Sequence, residues 1–221
     1  MLSWLISNAR AKKSCDHLFI ACMPKSGSTY LSTVLQEVTG FPASYVSEWG
    51  EQNEGDICER RLRRLKRRSV IQQHIKCTQT NLKWMVKYGV RPIVLTRSLF
   101  DVVPSMHDHL VQKQGGLTCG YVRREFWTLC WSDRCDYLIQ THLPWYFNFL
   151  LSWRDAAEQL AICPMSYEQL FADQVASLTI ILDFHQIRAS QDQLAAAIAR
   201  APAHNTRFNV GVSGRGSRTL T

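Results

Sequence analysis

The 221 residues contain no apolar stretch long enough to cross a bilayer, which needs about 20 consecutive apolar residues. The opening run, Met1-Leu2-Ser3-Trp4-Leu5-Ile6, is also too short for the core of a secretion signal. A cytoplasmic location is the expectation. Membrane contact would be at most peripheral, through Trp4, Leu5 and Ile6 beside Arg10, Lys12 and Lys13, against the plainer reading of an ordinary first helix. The eight cysteines form no C-x-x-C pair and no zinc-ligand spacing, so no metal is expected. His107 and His109, two apart on an expected helix, face different sides and make a poor metal pair. Free thiols in a reducing compartment and a disulfide from an even cysteine count both stand as readings. Acidic residues are scarce, 18 against 26 basic ones, and the net charge of +8 suits an anionic ligand without naming it. No nucleic-acid recognition motif accompanies that charge, so nucleic acid is not an expected partner. Internal repeats and linker-like segments are missing as well. With 46% hydrophobic residues the chain can bury one sizeable core. One domain over 1–221, with its core at about 17–216, is the expectation.

What is present begins at His17-Leu18-Phe19-Ile20-Ala21-Cys22-Met23, an apolar run followed by Pro24-Lys25-Ser26-Gly27-Ser28-Thr29 and then a helical pattern of Leu31, Val34, Leu35 and Val38. Strand, short glycine-containing loop and helix together make an anion site, because loop amides and a helix N-terminus converge on one point. A nucleoside-triphosphate loop would read G-x-x-x-x-G-K-[ST]. Here the residue after Gly27 is Ser28, and the lysine precedes the glycine by two positions, at Lys25. The spacing favours a different phosphate-bearing donor.

Further strands are expected at 17–23, 70–74, 91–96 and 161–166. Helices are expected at 29–39, 56–68 and 81–88, from about Ser98, two or three within 121–160, and onward to about 201. Residues 41–55 read as loop. Ser98 with Asp101 is expected to cap the helix after the third of these strands, and Pro104 to kink it next to Ser105. Alternating strands and helices predict an α/β protein with a parallel sheet.

The segment from Arg91 to Leu95, then Thr96-Arg97-Ser98-Leu99-Phe100-Asp101, ends with Ser105 eight residues after Arg97. This segment and the Pro24–Thr29 loop together resemble the sulfotransferases that use 3′-phosphoadenosine 5′-phosphosulfate (PAPS). In that family a P-K-[ST]-G-[ST]-[ST] loop holds the 5′-phosphosulfate, and an Arg and Ser eight apart bind the 3′-phosphate. The resemblance continues through Pro144-Trp145-Tyr146, Trp153 and Ser166-Tyr167-Glu168-Gln169-Leu170, whose tyrosine lies near adenine in the family. It extends through Ile180–Phe184 to Phe208-Asn209-Val210-Gly211-Val212-Ser213-Gly214-Arg215-Gly216, which is similar to an F-R-K-G-x-x-G phosphate clamp. Asn209-Val210 stand where that clamp has Arg-Lys, leaving Arg207, Arg215 or Arg218 as nearby charges.

The resemblance implies a three-layer P-loop-like α/β fold with a central, mostly parallel sheet flanked by helices. It implies PAPS as co-substrate, with donor contacts from Lys25, Ser26, Gly27, Ser28, Thr29, Arg97, Ser105, Tyr167, Gly211 and Arg215. Sulfuryl transfer builds negative charge on the leaving phosphate oxygen, so a cation must be waiting there, and Lys25 is the choice. The acceptor must lose a proton, and His74 occupies the position of the family's histidine base, with Glu48 or Glu51 as carboxylate alternatives and Lys76 as a further sulfuryl contact. An ion pair between Arg97 and Asp101 is the plain structural alternative for that arginine. Seven cations within residues 60–68 read either as a solvated helix face or as a surface for a sulfated, phosphorylated or membrane anion. The acceptor is left open among a small molecule, a carbohydrate and a lipid headgroup, as is the oligomeric state. Two other functions compete: a small-molecule kinase, and a non-catalytic sulfotransferase-like binding protein suggested by Asn209-Val210.

Overall fold

A computed structural model describes residues 17–48, 54–65, 68–113 and 120–201, together with Gly214, Gly216 and Leu220. The chain starts with β1 (Leu18–Cys22) and α1 (Ser28–Thr39), then β2 (Ala43–Ser44), α2 (Glu59–Arg64), β3 (Val70–Gln73) and α3 (Gln79–Tyr88). It continues with β4 (Pro92–Thr96), α4 (Leu99–Lys113), a 3₁₀ turn (Arg124–Thr128), α5 (Trp131–Thr141) and α6 (Leu143–Ala156). β5 (Cys163–Ser166) is followed by α7 (Tyr167–Ala172), α8 (Gln174–Phe184) and α9 (Gln191–Arg200).

The five strands form one sheet in the order β2-β3-β1-β4-β5, with every pairing parallel. All five residues of β1 are buried, as a strand covered on both faces requires. Side chains alternate along it. Phe19 and Ala21 face a core with Ile71, Val94, Val102, Val103 and Met106, joined by Tyr146, Phe149 and Trp153 of α6. Leu18, Ile20 and Cys22 face the opposite core with Leu31, Val34, Leu35, Leu170, Leu178, Ile181 and Leu194. The result is three layers: helices, sheet, helices.

Some expected boundaries shift. Residues 41–55 contain β2, two residues that pair with Val70 and Ile71 and are too short to show a period. The basic helix expected over 56–68 runs only from Glu59 to Arg64, because Leu62 is its one buried side chain and Leu65 turns to an extended conformation. The helix expected at 81–88 starts two residues earlier, after Thr78, whose side chain accepts from the amide of Asn81.

The topology determines where a ligand belongs. From β1 the chain moves to one side through β2 and β3, then crosses to the other side for β4 and β5. The loops after β1 and β4 therefore flank the crevice where strand order reverses, the usual ligand position in open parallel sheets.

Candidate active site

The loop after β1 is held open by its backbone. The amide of Met23 donates to Leu95 O at 3.1 Å, continuing the sheet past its last formal residue. Lys25 and Gly27 both adopt left-handed conformations, at φ 66° and 82°, on either side of Ser26. Such alternation turns successive amides toward one point and makes an anion nest. The buried Ser26 hydroxyl closes the turn by donating to Met23 O at 2.6 Å. No side chain caps α1 at Gly27, so the nest and the helix N-terminus form a continuous donor surface. Ser28 is buried at the start of α1 and accepts from Gln72 Nε2 at 2.9 Å, while Thr29 is half-buried beside it. Tyr146 on α6 ties the loop down from the other core, its hydroxyl 3.2 Å from Pro24 O.

Tyr167, the first residue of α7, lies beneath the loop and is only 3% exposed. A Cβ on Gly27 would sit 3.0 Å from its Cδ2. Arg97, just after β4, stacks over the same ring with Cζ 4.1 Å from the centroid, and Phe171 packs against the ring at 4.4 Å. Arg97 Nη1 donates to Lys25 O at 3.0 Å, which joins the β1 and β4 loops. Its Nε is buried and has no hydrogen-bond partner among the described residues.

The expected Ser98–Asp101 cap of α4 does not form. The amide of Ser98 donates instead to Glu168 Oε1 at 2.9 Å, and the Asp101 oxygens accept from the amides of Gly214 and Gly216 at 2.7 and 2.8 Å. Ser105, half-buried, is one helical repeat beyond Asp101 and so shares its face of α4.

On the other side of β1, His74 follows directly after β3. Its Nδ1 lies 3.1 Å from Cys22 O and 3.3 Å from Cys22 Sγ. A proton on Nδ1 is one that Cys22 O can accept, and this tautomer carries its lone pair on Nε2. Burial pushes the Cys22 thiol up to about 12, so it stays protonated beside the imidazole. Lys76 Nζ lies 6.0 Å from the ring centroid of Trp145, which stacks on Phe149 at 5.5 Å and meets Tyr146 edge-on at 5.4 Å.

Lys25, Ser26, Gly27, Ser28, Thr29, Arg97 and Tyr167 thus converge on one loop, with His74 tied to the strand that feeds it. Glu48 is exposed in a turn. Glu51, Arg207, Asn209, Val210, Gly211, Arg215 and Arg218 lie outside the described residues, as do residues 1–16. Sequence reasoning missed the supports: Gln72, Tyr146, Glu168 and the bonding of Asp101 to two distant glycines. Each connects residues far apart in the chain, which local patterns do not report.

These residues suit a phosphate-bearing donor on their own evidence. A buried guanidinium N–H lacks an acceptor, loop amides converge, and Gly27 sits where a side chain would meet an aromatic ring. Comparison with known proteins agrees. The sulfotransferase domain family matches residues 15–212, so the chain belongs to the sulfotransferase family, and its reaction class is sulfuryl transfer from PAPS. The chain's fold is also that of solved sulfotransferases. Mouse sulfotransferase SULT7A1 complexed with PAP is similar with a TM-score of 0.71 at 19% identity, over 100% of this chain and 83% of that one. Retinol dehydratase in complex with androsterone and inactive cofactor PAP is similar with a TM-score of 0.57 at 16% identity, over 95% of this chain and 71% of that one. No curated protein matches the sequence. The kinase reading is thereby set aside. Among the described residues no cluster of His, Cys, Asp or Glu could hold a metal ion, and no helix is long and apolar enough to cross a membrane.

Proposed function

We propose that this sulfotransferase moves the sulfuryl group of PAPS in line onto a hydroxyl or amine, with His74 as general base and Lys25 as the cation at the leaving phosphate oxygen. The observation that carries this reading is the contact of His74 Nδ1 with Cys22 O at 3.1 Å. It anchors a proton acceptor to the residue that ends β1, two positions before the Pro24–Thr29 loop. The loop amides with Ser26, Ser28 and Thr29 hold the 5′-phosphosulfate, and Gly27 leaves room for it. Arg97 and Ser105 hold the 3′-phosphate, the unmet Arg97 Nε supplying a charged donor. Tyr167 positions Arg97 and the loop from below, at the adenine side. Gly211 and Arg215 complete the donor site by family resemblance. The protein's contribution is placement and charge, as in phosphoryl transfer.

The acceptor we favour is a small molecule with an apolar or aromatic body. The aromatic group of Trp145, Tyr146 and Phe149 beside Lys76 supports it. Retinol dehydratase has been solved with androsterone and with retinol. A cytoplasmic location is supported by six free cysteines among the described residues, Cys22, Cys58, Cys77, Cys130, Cys135 and Cys163.

The test is sulfate transfer from PAPS to a panel of hydroxyl compounds, with sugars and lipid headgroups included as competing acceptor classes. His74→Ala should lower kcat by about 10²–10⁴-fold and leave affinity for adenosine 3′,5′-bisphosphate (PAP) nearly unchanged. A variant that keeps its activity would remove His74 as the base.

A further inference from the structure

We infer that Asp101 is a positioning residue that latches the C-terminal segment across the first turn of α4 and so shapes the 3′-phosphate end of the donor site. The inference rests on the donor reading above.

Asp101 lies in the first turn of α4, four residues after Arg97 and four before Ser105, the two groups assigned to the 3′-phosphate. It is 3% exposed. A buried carboxylate at that position would oppose a phosphate unless its charge were already engaged. It is engaged, since its two oxygens accept separately from Gly214 N at 2.7 Å and Gly216 N at 2.8 Å. The helix N-terminus favours the same negative charge.

A second observation fits the latch to this turn. Pro104 lies inside α4 and has no amide hydrogen, so it cannot bond the carbonyl of Phe100 four residues earlier. Gly216 packs against that carbonyl: a Cβ built on Gly216 would lie 1.7 Å from Phe100 O and 2.9 Å from Asp101 N. Only a residue without a side chain fits there. Leu220 N donates to Gly216 O at 2.9 Å, and Leu220 packs against the core that holds Val102 and Val103. Polar, steric and apolar contacts thus fasten Gly214, Gly216 and Leu220 to the first turn of α4 and the core beside it.

Three variants test the latch: Asp101→Ala, Asp101→Asn and Gly216→Ala. The last leaves the buried carboxylate and the whole α/β core unaltered, so its result does not depend on Asp101 variants folding. Trypsin cleavage after Arg215 reads the latch itself, and calorimetry with PAP and the PAPS dependence of turnover read the donor site. Losing bonds to a charged acceptor should speed cleavage and raise both the PAP Kd and the KM for PAPS about tenfold or more. The kcat at saturating donor should move much less, and Asp101→Asn, which keeps one acceptor oxygen, should fall between wild type and Asp101→Ala. Unchanged cleavage in Gly216→Ala and Asp101→Ala would overturn the latch. Faster cleavage with PAP affinity within about twofold of wild type, a difference of under 0.5 kcal/mol, would overturn its link to the donor. Wild-type protein that binds no PAP would overturn the donor reading itself and the link with it, while the cleavage comparison would still judge the latch.

Discussion

Gly27 answers two demands at once. Its φ of 82° is left-handed, and the position a Cβ would take lies 3.0 Å from the Tyr167 ring. Gly27→Ala therefore adds about 1–2 kcal/mol of backbone strain and forces Tyr167 to give way. Because Tyr167 carries Arg97 on its face, the displacement should reach the proposed donor site. The expected result is a lower Tm together with a PAP Kd raised about tenfold, the equivalent of about 1.4 kcal/mol, by thermal denaturation and calorimetry. Unchanged affinity would mean that the loop does not grip the donor. Lys25, at φ 66°, accepts comparable strain without being glycine, which places its carbonyl where Arg97 Nη1 can donate to it. The loop's composition was legible from a six-residue string. The resemblance named Tyr167 as a contact near adenine, but its place beneath Gly27 was not legible, since the two are 140 residues apart in sequence. Asp101 shows the same limit: spacing from Ser98 suggested a local cap, yet Glu168 and two C-terminal glycines provide the partners actually used.

At the level of elements, continuous apolar runs located β1 and β4, which are buried along their whole length, and helical spacing of apolar residues located α1. β2 and α2 escaped or shrank because they bury too little to impose a pattern. The junction of β5 and α7 carries two supports of the proposed donor site. Ser166 ends the strand and caps the helix through a reciprocal capping box, accepting from Gln169 N at 3.1 Å while its own amide donates to Gln169 Oε1 at 3.1 Å. This fixes where α7 starts, and Tyr167 and Glu168 are its first two residues. The helix thereby aims one side chain under the Pro24–Thr29 loop and another at the amide of Ser98. Ser166→Ala should cost about 1 kcal/mol of stability, read by denaturant unfolding. It should also weaken PAP binding. Loss of stability with full PAP affinity would show that cap and donor site are independent.

Across the whole molecule, two cores on opposite faces of a parallel sheet flank the crevice at the reversal of strand order. Elements from both layers reach it: Tyr146, in one core, grips Pro24, and Tyr167 of α7, the helix whose Leu170 lies in the other core, sits under Gly27. The net charge of +8 suits a donor bearing several negative charges. The phosphate loop and the Arg97 segment were legible as motifs, and their meeting follows from β4 pairing directly with β1, Ala21 against Val94 and Cys22 against Leu95. The measurement closest to the central claim is calorimetric titration of the purified protein with PAP, against ATP and 5′-AMP. The account predicts binding that requires the 3′-phosphate and is weakened by Arg97→Ala about tenfold or more, as expected for losing a charge-assisted contact. No binding, or a preference for ATP, would contradict it.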